Sequence, residues 1–311
     1  MKVLITGGAG FIGSNVIRFL NKNHPDWELL ALDDLSTGSR SNLEGLDARF
    51  VDGSILDFAT VQGCARDVDS IIHLAAIPSV PRSIADPVPT HLANVTGTMN
   101  VLEAARLGGT EQVIFASSSS VYGSNPALPK SERDWTRPMS PYGASKLAAE
   151  AYVLSYAFSY GMKSLAFRFF NVYGPGQSAD HAYAAVVPKF VDRALEGEPL
   201  VVYGDGSQTR DFTYVDSVCA VLAEAVDRRV SSHDPVNLAF GTRTSLLELI
   251  DDIRPLVSHD VEVRHSDARA GDVRDSQADG IVLRQMFPSI QPTGLADGLR
   301  ETIDWLRCRK G

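Results

Sequence analysis

The chain has 311 residues, 44% hydrophobic and 22% charged, enough apolar material for a sizeable core; this excludes a disordered or fibrous chain. With 29 basic against 38 acidic residues the formal charge is −9, and no dense Lys/Arg run occurs, so neither a nucleic-acid nor an anionic-membrane surface is expected. Cys64, Cys219 and Cys308 stand in no CxxC or Cys/His spacing, which excludes a disulfide framework and a metal site as expectations and fits a reducing cytoplasm. Strand-like sequence begins at Lys2, leaving no room for a signal peptide, and no apolar run approaches the roughly 18–20 residues of a membrane span.

In chain order, apolar runs at Val3–Thr6, Leu29–Asp33, Arg49–Val51, Ser70–Ala75, Val113–Ser118 and Ser164–Phe170 read as strands separated by segments of helical period. Alternation of this kind implies parallel strands joined by right-handed helical crossovers, and uninterrupted apolar triplets such as Val3-Leu4-Ile5 imply helices on both faces. The expected fold is therefore α/β, a Rossmann-type doubly wound parallel sheet. After Gly174-Pro175-Gly176 the rhythm changes to mixed helices, Gly/Pro turns and isolated strands, with one more apolar strand at Val236–Phe240. This predicts a dinucleotide-binding part over 1–172 plus 231–252, and a smaller, interleaved mixed α/β part over 173–230 plus 253–311.

The first strand runs directly into Thr6-Gly7-Gly8-Ala9-Gly10-Phe11-Ile12-Gly13 and then a helical pattern. Glycines at 7, 10 and 13 serve a tight turn, backbone approach to a pyrophosphate and close helix–strand packing, while the helix start supplies N–H groups and a positive dipole end. Asp33 lies 20 residues past Gly13, where a carboxylate can accept both ribose hydroxyls and would repel a 2′-phosphate; NAD is expected over NADP. Farther on, Tyr142-Gly-Ala-Ser-Lys146 opens a helix that places phenol and ammonium on one face, and a cation there is expected to lower the phenol's pKa toward that of a general base. The strand ending in Ser117-Ser118-Ser119-Ser120 offers hydroxyls for a substrate oxygen.

With those motifs the chain resembles the extended short-chain dehydrogenase/reductases that act on nucleotide sugars, the NAD-dependent epimerase/dehydratase family. The resemblance runs through TGGAGFIGS at 6–14, LDDLSTG at 32–38, HLAA at 73–76, SSSSVYG at 117–123, PYGASK at 141–146, RFFNVYGPGQ at 168–177, YGDGSQTRDFTYVDS at 203–217 and RAGD at 269–272. It implies a catalytic set of Ser118, Tyr142 and Lys146. For NAD it implies Gly7, Gly10, Phe11, Ile12, Gly13, Asp33, Asp34, Ser36, Thr37, Gly38, Ser54, Ile55, Leu74, Ala75, Ala76, Asn94, Ser117 and Phe169, together with Tyr142 and Lys146. For the sugar nucleotide it implies Ser79, Asn171, Val187, Val202, Tyr203, Arg210, Arg269, Asp272 and Ser276, beside Ser118 and Tyr142. Two positions depart from the family: Ser54 stands where an aspartate usually meets the adenine side, and Pro78 where a lysine often lies near the pyrophosphate.

The implied reaction is C4 epimerisation of a UDP-hexose through a transient 4-keto sugar with NAD retained. Elimination by a 4,6-dehydratase would need an Asp–Glu pair directly after the catalytic serine, where this chain has Ser119 and Ser120. A UDP-glucuronate 4-epimerase shares the triad and stays as the alternative; a non-enzymatic NAD sensor is disfavoured because both Tyr and Lys of YxxxK are present. The family position bordering the sugar's C2 substituent falls on Ser276, small enough to admit UDP-GlcNAc and UDP-GalNAc beside UDP-Glc and UDP-Gal. Apolar residues beyond one stripe on the helices near Asn94 (Val101, Leu102, Ala104, Ala105) and Tyr142 (Ala149, Ala151, Tyr152, Val153, Tyr156) suggest a second buried face, with an intradomain core as the alternative; the resemblance implies a homodimer through a four-helix bundle of these helices.

Overall fold

The computed structural model describes residues 1–179, 184–267 and 274–310. Seven strands form one sheet: β1 (Lys2–Thr6), β2 (Glu28–Asp33), β3 (Arg49–Asp52), β4 (Ser70–His73), β5 (Gln112–Ser118), β6 (Lys163–Phe169) and β7 (Val236–Leu238). Their order is β3-β2-β1-β4-β5-β6-β7, every neighbouring pair parallel. Successive strands are laid down outward on one side of β1 (β2, β3) and then, from β4, on the other, so the strand order reverses between β1 and β4, which is the switch point of a doubly wound fold.

Alternation along each strand splits its side chains between two cores. Val3, Ile5, Ala31, Ile72, Ile114, Leu165 and Phe167 join helices Phe11–Asn23 (α1) and Val215–Asp227 on one face. Leu4, Leu30, Leu32, Ile71, Val113, Phe115 and Ala166 join Phe58–Ala65 (α2), Gly97–Gly108 (α3) and Pro141–Tyr160 (α4) on the other. Each such fully buried aliphatic or aromatic side chain contributes about 1.5–3 kcal/mol, so the double layer is what makes the sheet stable without any polar face.

Details differ from the sequence expectation where side chains compete with ladder bonds. Between β2 and β3 there is no α-helix but a single 3₁₀ turn, Arg40–Leu43, capped by the Ser39 hydroxyl; Asn42 donates to the Ala9 carbonyl (2.8 Å), drawing this segment over the Gly-rich turn. β4 stops at His73 instead of Ala75, because the Ala75 amide turns to the Thr6 hydroxyl (3.3 Å). β7 stops at Leu238 instead of Phe240.

The rest is built from short pairings: Val172–Tyr173 with Thr213–Tyr214, Leu200–Tyr203 with Val263–Ser266, and Thr209–Arg210 with Thr244–Ser245. Helices Val186–Glu196, Leu246–Ile253 and Leu295–Lys310 pack among them. We retain the two-part division, 1–172 plus 231–252 against 173–230 plus 253–311, as a proposal. Val215–Asp227, assigned by it to the smaller part, packs along α1 on the sheet. Among the described residues no helix is long and apolar enough to cross a membrane, and no group of three or more His, Cys, Asp or Glu could hold a metal ion.

Candidate active site

Parallel strands bring their C-terminal ends to one edge, so Thr6, Asp33, His73, Ser118 and Phe169 line up there although they are scattered in sequence. At β1 the chain turns through Gly7, whose φ of 72° and amide bond to the Leu32 carbonyl (2.8 Å) fix the bend. A Cβ on Gly7 would lie 2.7 Å from the Ala75 nitrogen, and one on Gly13 would lie 2.2 Å from the Gly7 carbonyl oxygen. Both glycines are thus required by backbone packing. Gly10 is the N-cap of α1, with no side chain capping it and no acid in the first turn, so the amide end running through Phe11 and Ile12 keeps its positive field.

Asp33 is buried at the end of β2, its oxygens accepting from the amides of Ala9 (3.0 Å) and Leu35 (2.8 Å). Burial pushes its pKa up while those amide bonds pull the other way. Asp34 is held below the usual carboxylate range: burial opposes this, but hydrogen bonds from Ser36 and from the Ser54 hydroxyl (3.1 Å) outweigh it. Ser54 therefore binds Asp34, and Ile55 packs in the core against Gly97. Thr37 is exposed beside Gly38, where a Cβ would strike the Ala9 carbonyl at 2.7 Å.

Below this turn His73 is wholly buried between Thr6 (2.6 Å) and Thr98 (2.9 Å). The Thr98 hydroxyl donates to the Asn94 carbonyl, so it accepts from Nε2–H of His73, leaving Nδ1 to accept from Thr6. Burial, and secondarily the Lys146 charge, push His73 down to about 3, so it is a neutral strut. Leu74, Ala75 and Ala76 leave β4 half-buried. Asn94, in a π-helical segment (Leu92–Thr96), clamps this loop: its Oδ1 accepts from the Ile77 amide (2.8 Å) and its Nδ2 donates to Ser145 (3.0 Å). Its carboxamide thus ties the loop to α4. Ser79 caps Val80–Ala85 with φ of 98°, an uncommon value for a residue with a Cβ.

α4 starts where the sequence says it should: Ser140 accepts from the Gly143 amide (3.1 Å) and Pro141 occupies the first turn. Gly143 is required because a Cβ there would meet the Ser120 carbonyl oxygen at 2.7 Å. That approach sets Tyr142, at the start of α4, beside Ser118 at the end of β5. Lys146 is buried one turn on and donates to the Ala116 carbonyl (2.8 Å). The expectation that Lys146 lowers the Tyr142 pKa is not met: burial raises it and only the Ser118 hydrogen bond opposes. Lys146 is desolvated as well, its pKa pushed down to about 7. Ser117, expected at the cofactor, donates its hydroxyl to Glu150 (2.6 Å), and Phe169 pairs with Ser118 across β5 and β6.

On the other side of the edge, Asn171 has φ of 32° and donates to the Asp211 carbonyl (3.3 Å). Arg210 donates to the carbonyls of Thr209 (2.9 Å) and Arg274 (3.0 Å), and the Ser276 amide donates to the Thr209 carbonyl (3.1 Å). The neighbours of Ser276 are drawn aside, Asp275 to Thr209 and Arg243, and Gln277 to the Gly241 carbonyl. Val187 and Val202 point into the core and Tyr203 is half-buried. Arg269 and Asp272 lie outside the described residues.

Two residues that the motifs did not single out organise this site. Glu150 forms a buried two-pronged pair with Arg168 (2.7 and 3.1 Å) and accepts from Ser117; Asp211 is completely buried. The signal for Glu150 was available in its place one turn after Lys146 on the face turned to the sheet.

The sequence pattern of the NAD dependent epimerase/dehydratase family matches residues 3–239. The chain belongs to this family. It is 37% identical over 315 residues to the UDP-glucose 4-epimerase of Mycolicibacterium smegmatis, covering 99% of each chain. Among solved structures it resembles the UDP-N-acetylglucosamine 4-epimerase of Methanobrevibacter ruminantium in complex with UDP-N-acetylmuramic acid (TM-score 0.93, 34% identity, 99% and 98% of the chains). It likewise resembles the UDP-glucose 4-epimerase of Thermus thermophilus in complex with NAD (TM-score 0.89, 35% identity, 99% of each).

The chain is thus an enzyme of the nucleotide-sugar epimerase family and its cofactor is NAD. The residues present fit that group: an uncapped, acid-free helix start behind a glycine turn suits a pyrophosphate, and Asp33 suits a ribose diol but not a 2′-phosphate.

The buried Lys146 makes stability depend on pH. Its pKa is lower in the folded chain, about 7, than in the unfolded chain, about 10.4, so the unfolded state binds the extra proton between those values and stability rises with pH across that window. Below pH 7 the cost of burying the charge is present in full, of the order of 4 kcal/mol. Urea unfolding of the ligand-free protein should show wild type gaining on Lys146→Met by roughly 2–3 kcal/mol between pH 6.5 and 9; parallel pH curves for the two would contradict this.

Proposed function

We propose that this enzyme inverts C4 of a UDP-hexose, UDP-Glc/UDP-Gal and also UDP-GlcNAc/UDP-GalNAc, through a transient 4-keto sugar. The observation that carries this reading is the convergence of Ser118 at the end of β5 with Tyr142 and Lys146 on one face of the helix packed over it. NAD, when bound, supplies a hydride acceptor and later donor, so no net oxidation results. Tyr142 takes the proton of the sugar 4-hydroxyl and returns it, and Ser118 holds that proton's path. Asn171, Arg210 and Arg269 would hold the diphosphate while the ketone turns its other face, and Tyr203, Val202 and Asp272 the uridine. Ser119 and Ser120, in the 3₁₀ turn after Ser118, bring no carboxylate for eliminating water, which separates the reading from a dehydratase. Incubation with UDP-Glc, UDP-GlcNAc and UDP-GlcA followed by NMR identifies the sugar; conversion of UDP-GlcA alone would establish the glucuronate alternative.

Tyr142→Phe should fold and hold NAD while turnover falls about 10²–10⁴-fold, the usual contribution of a positioned proton-transfer group; wild-type-like turnover would remove Tyr142 from the role. Because Asp275 and Gln277 are tied away from Ser276, that position leaves room at the sugar's C2 substituent. Ser276→Tyr should suppress turnover of UDP-GlcNAc and spare UDP-Glc. Equal loss with both sugars would show that another residue sets this specificity.

We also infer a homodimer. Leu107 on α3 and Tyr152, Phe158 and Tyr160 on α4 are exposed at 54, 41, 70 and 57%, more apolar surface than two solvent-facing helices need. A bundle of two helices from each copy would cover it. Equilibrium sedimentation should give about twice the 33.6 kDa chain mass, and a monomer at micromolar concentration would sink this assignment. The free, buried Cys64 and Cys219 and the exposed Cys308 support a reducing, cytoplasmic setting.

A further inference from the structure

Asp211 has none of its surface exposed, yet no role in proton transfer reaches it. Its carboxylate is surrounded by four neutral donors: Oδ2 accepts from the amides of Ala278 (3.0 Å) and Gly241 (3.1 Å), and Oδ1 from the amide (3.2 Å) and hydroxyl (2.7 Å) of Thr242. Its own carbonyl accepts from Asn171, and its chain neighbour is Arg210. One side chain therefore fixes two segments remote in sequence, 241–242 and 278, against the strand that carries Arg210.

Those segments bear the sugar-nucleotide side of the site. Ala278 follows Ser276 by two residues, and the Ser276 amide bonds Thr209; Gln277 donates to the Gly241 carbonyl, whose own amide bonds Asp211. Thr209 and Arg210 bond the 274–276 segment directly, and Asp211 adds the ties that hold 278 and 241–242 against the same strand and, through its carbonyl, Asn171. Burial raises the Asp211 pKa and the four hydrogen bonds resist that, so the site needs the ionised, acceptor-only form.

We propose that Asp211 is the positioning residue of the sugar-nucleotide subsite, presetting the distance between the diphosphate-side residues Asn171 and Arg210 and the sugar-side wall at Ser276. The proposal rests on the nucleotide-sugar reading above. A carboxamide at this position would aim its own N–H groups at donors, so Asp211→Asn should open the spacing without touching the dinucleotide half. Thr242→Val is the milder counterpart: it removes one hydroxyl bond and keeps the amide bonds.

The test is calorimetric titration of the NAD-loaded protein with UDP, alongside NAD content, thermal unfolding and steady-state kinetics. Asp211→Asn should weaken UDP binding at least tenfold and Thr242→Val about threefold, as loss of hydrogen bonds to a buried charge implies. In both, KM should rise more than kcat falls, and NAD content should stay at the wild-type level. Unchanged UDP affinity in a folded Asp211→Asn overturns the proposal, as does parallel loss of NAD and UDP, which would mark a general structural role. If Asp211→Asn does not fold, Thr242→Val decides: wild-type UDP affinity there overturns it. A wild-type protein that binds no UDP would sink the nucleotide-sugar reading itself, a result distinct from any of these.

Discussion

The contact on which the rest depends is the packing of the α4 N-terminus against the end of β5. Two successive residues of that strand each bond one residue of the helix, Ala116 to Lys146 and Ser117 to Glu150, and the strand ends at Ser118, beside Tyr142, which stands one helical turn before Lys146. Gly143 makes the approach possible, since any side chain there would meet the Ser120 backbone. Two rungs one turn apart on one helical face fix rotation and height of the helix at once, which is what holding a phenol near a hydroxyl requires.

Such a seam buries charge, and the fold has to offset it. Glu150 is neutralised by Arg168 from β6, whose guanidinium also lies over the Tyr122 ring at 4.7 Å. Tyr122 donates to Asn237 Oδ1 (2.6 Å), whose Nδ2 donates in turn to the Lys130 carbonyl (2.9 Å) and whose backbone N–H donates to Glu132 (2.9 Å). Pairs of this kind seldom add net stability over an apolar core, but removing one partner costs about 3–5 kcal/mol. The network therefore makes the geometry around Ser118 hard to change by small steps. Lys146 is different, since its partner is a carbonyl oxygen and burial alone lowers its pKa.

The sheet and its glycine turn were legible because each follows from local pattern. Apolar triplets give buried parallel strands, Gly7 and Gly13 sit where backbone meets backbone, and the stretch from Tyr142 to Lys146 reads as the opening of α4. What was not legible lies where side chains or solvent decide. A cation one turn from a phenol reads as an activator in water, but burial raises Tyr142 and lowers Lys146 in this seam. The bond from Ser117 to Glu150, 33 residues away, is not visible in the sequence. The stretch between β2 and β3 reads as a helical crossover until Asn42 is found holding it over Ala9.

The two sides of the site are held by different physics, and this bears on how they respond to ligand. The dinucleotide side rests on strands whose core residues are essentially unexposed, so its geometry is set by the cooperative unit of the whole sheet. The sugar side rests on two-residue pairings, Thr209–Arg210 with Thr244–Ser245 and Val172–Tyr173 with Thr213–Tyr214, joined by side-chain hydrogen bonds. Short pairings open at lower free energy than core strands, so the sugar side is where the molecule can give. A reaction in which a ketone must turn over before hydride returns calls for that division: the donor side fixed, the sugar side confined but able to readjust.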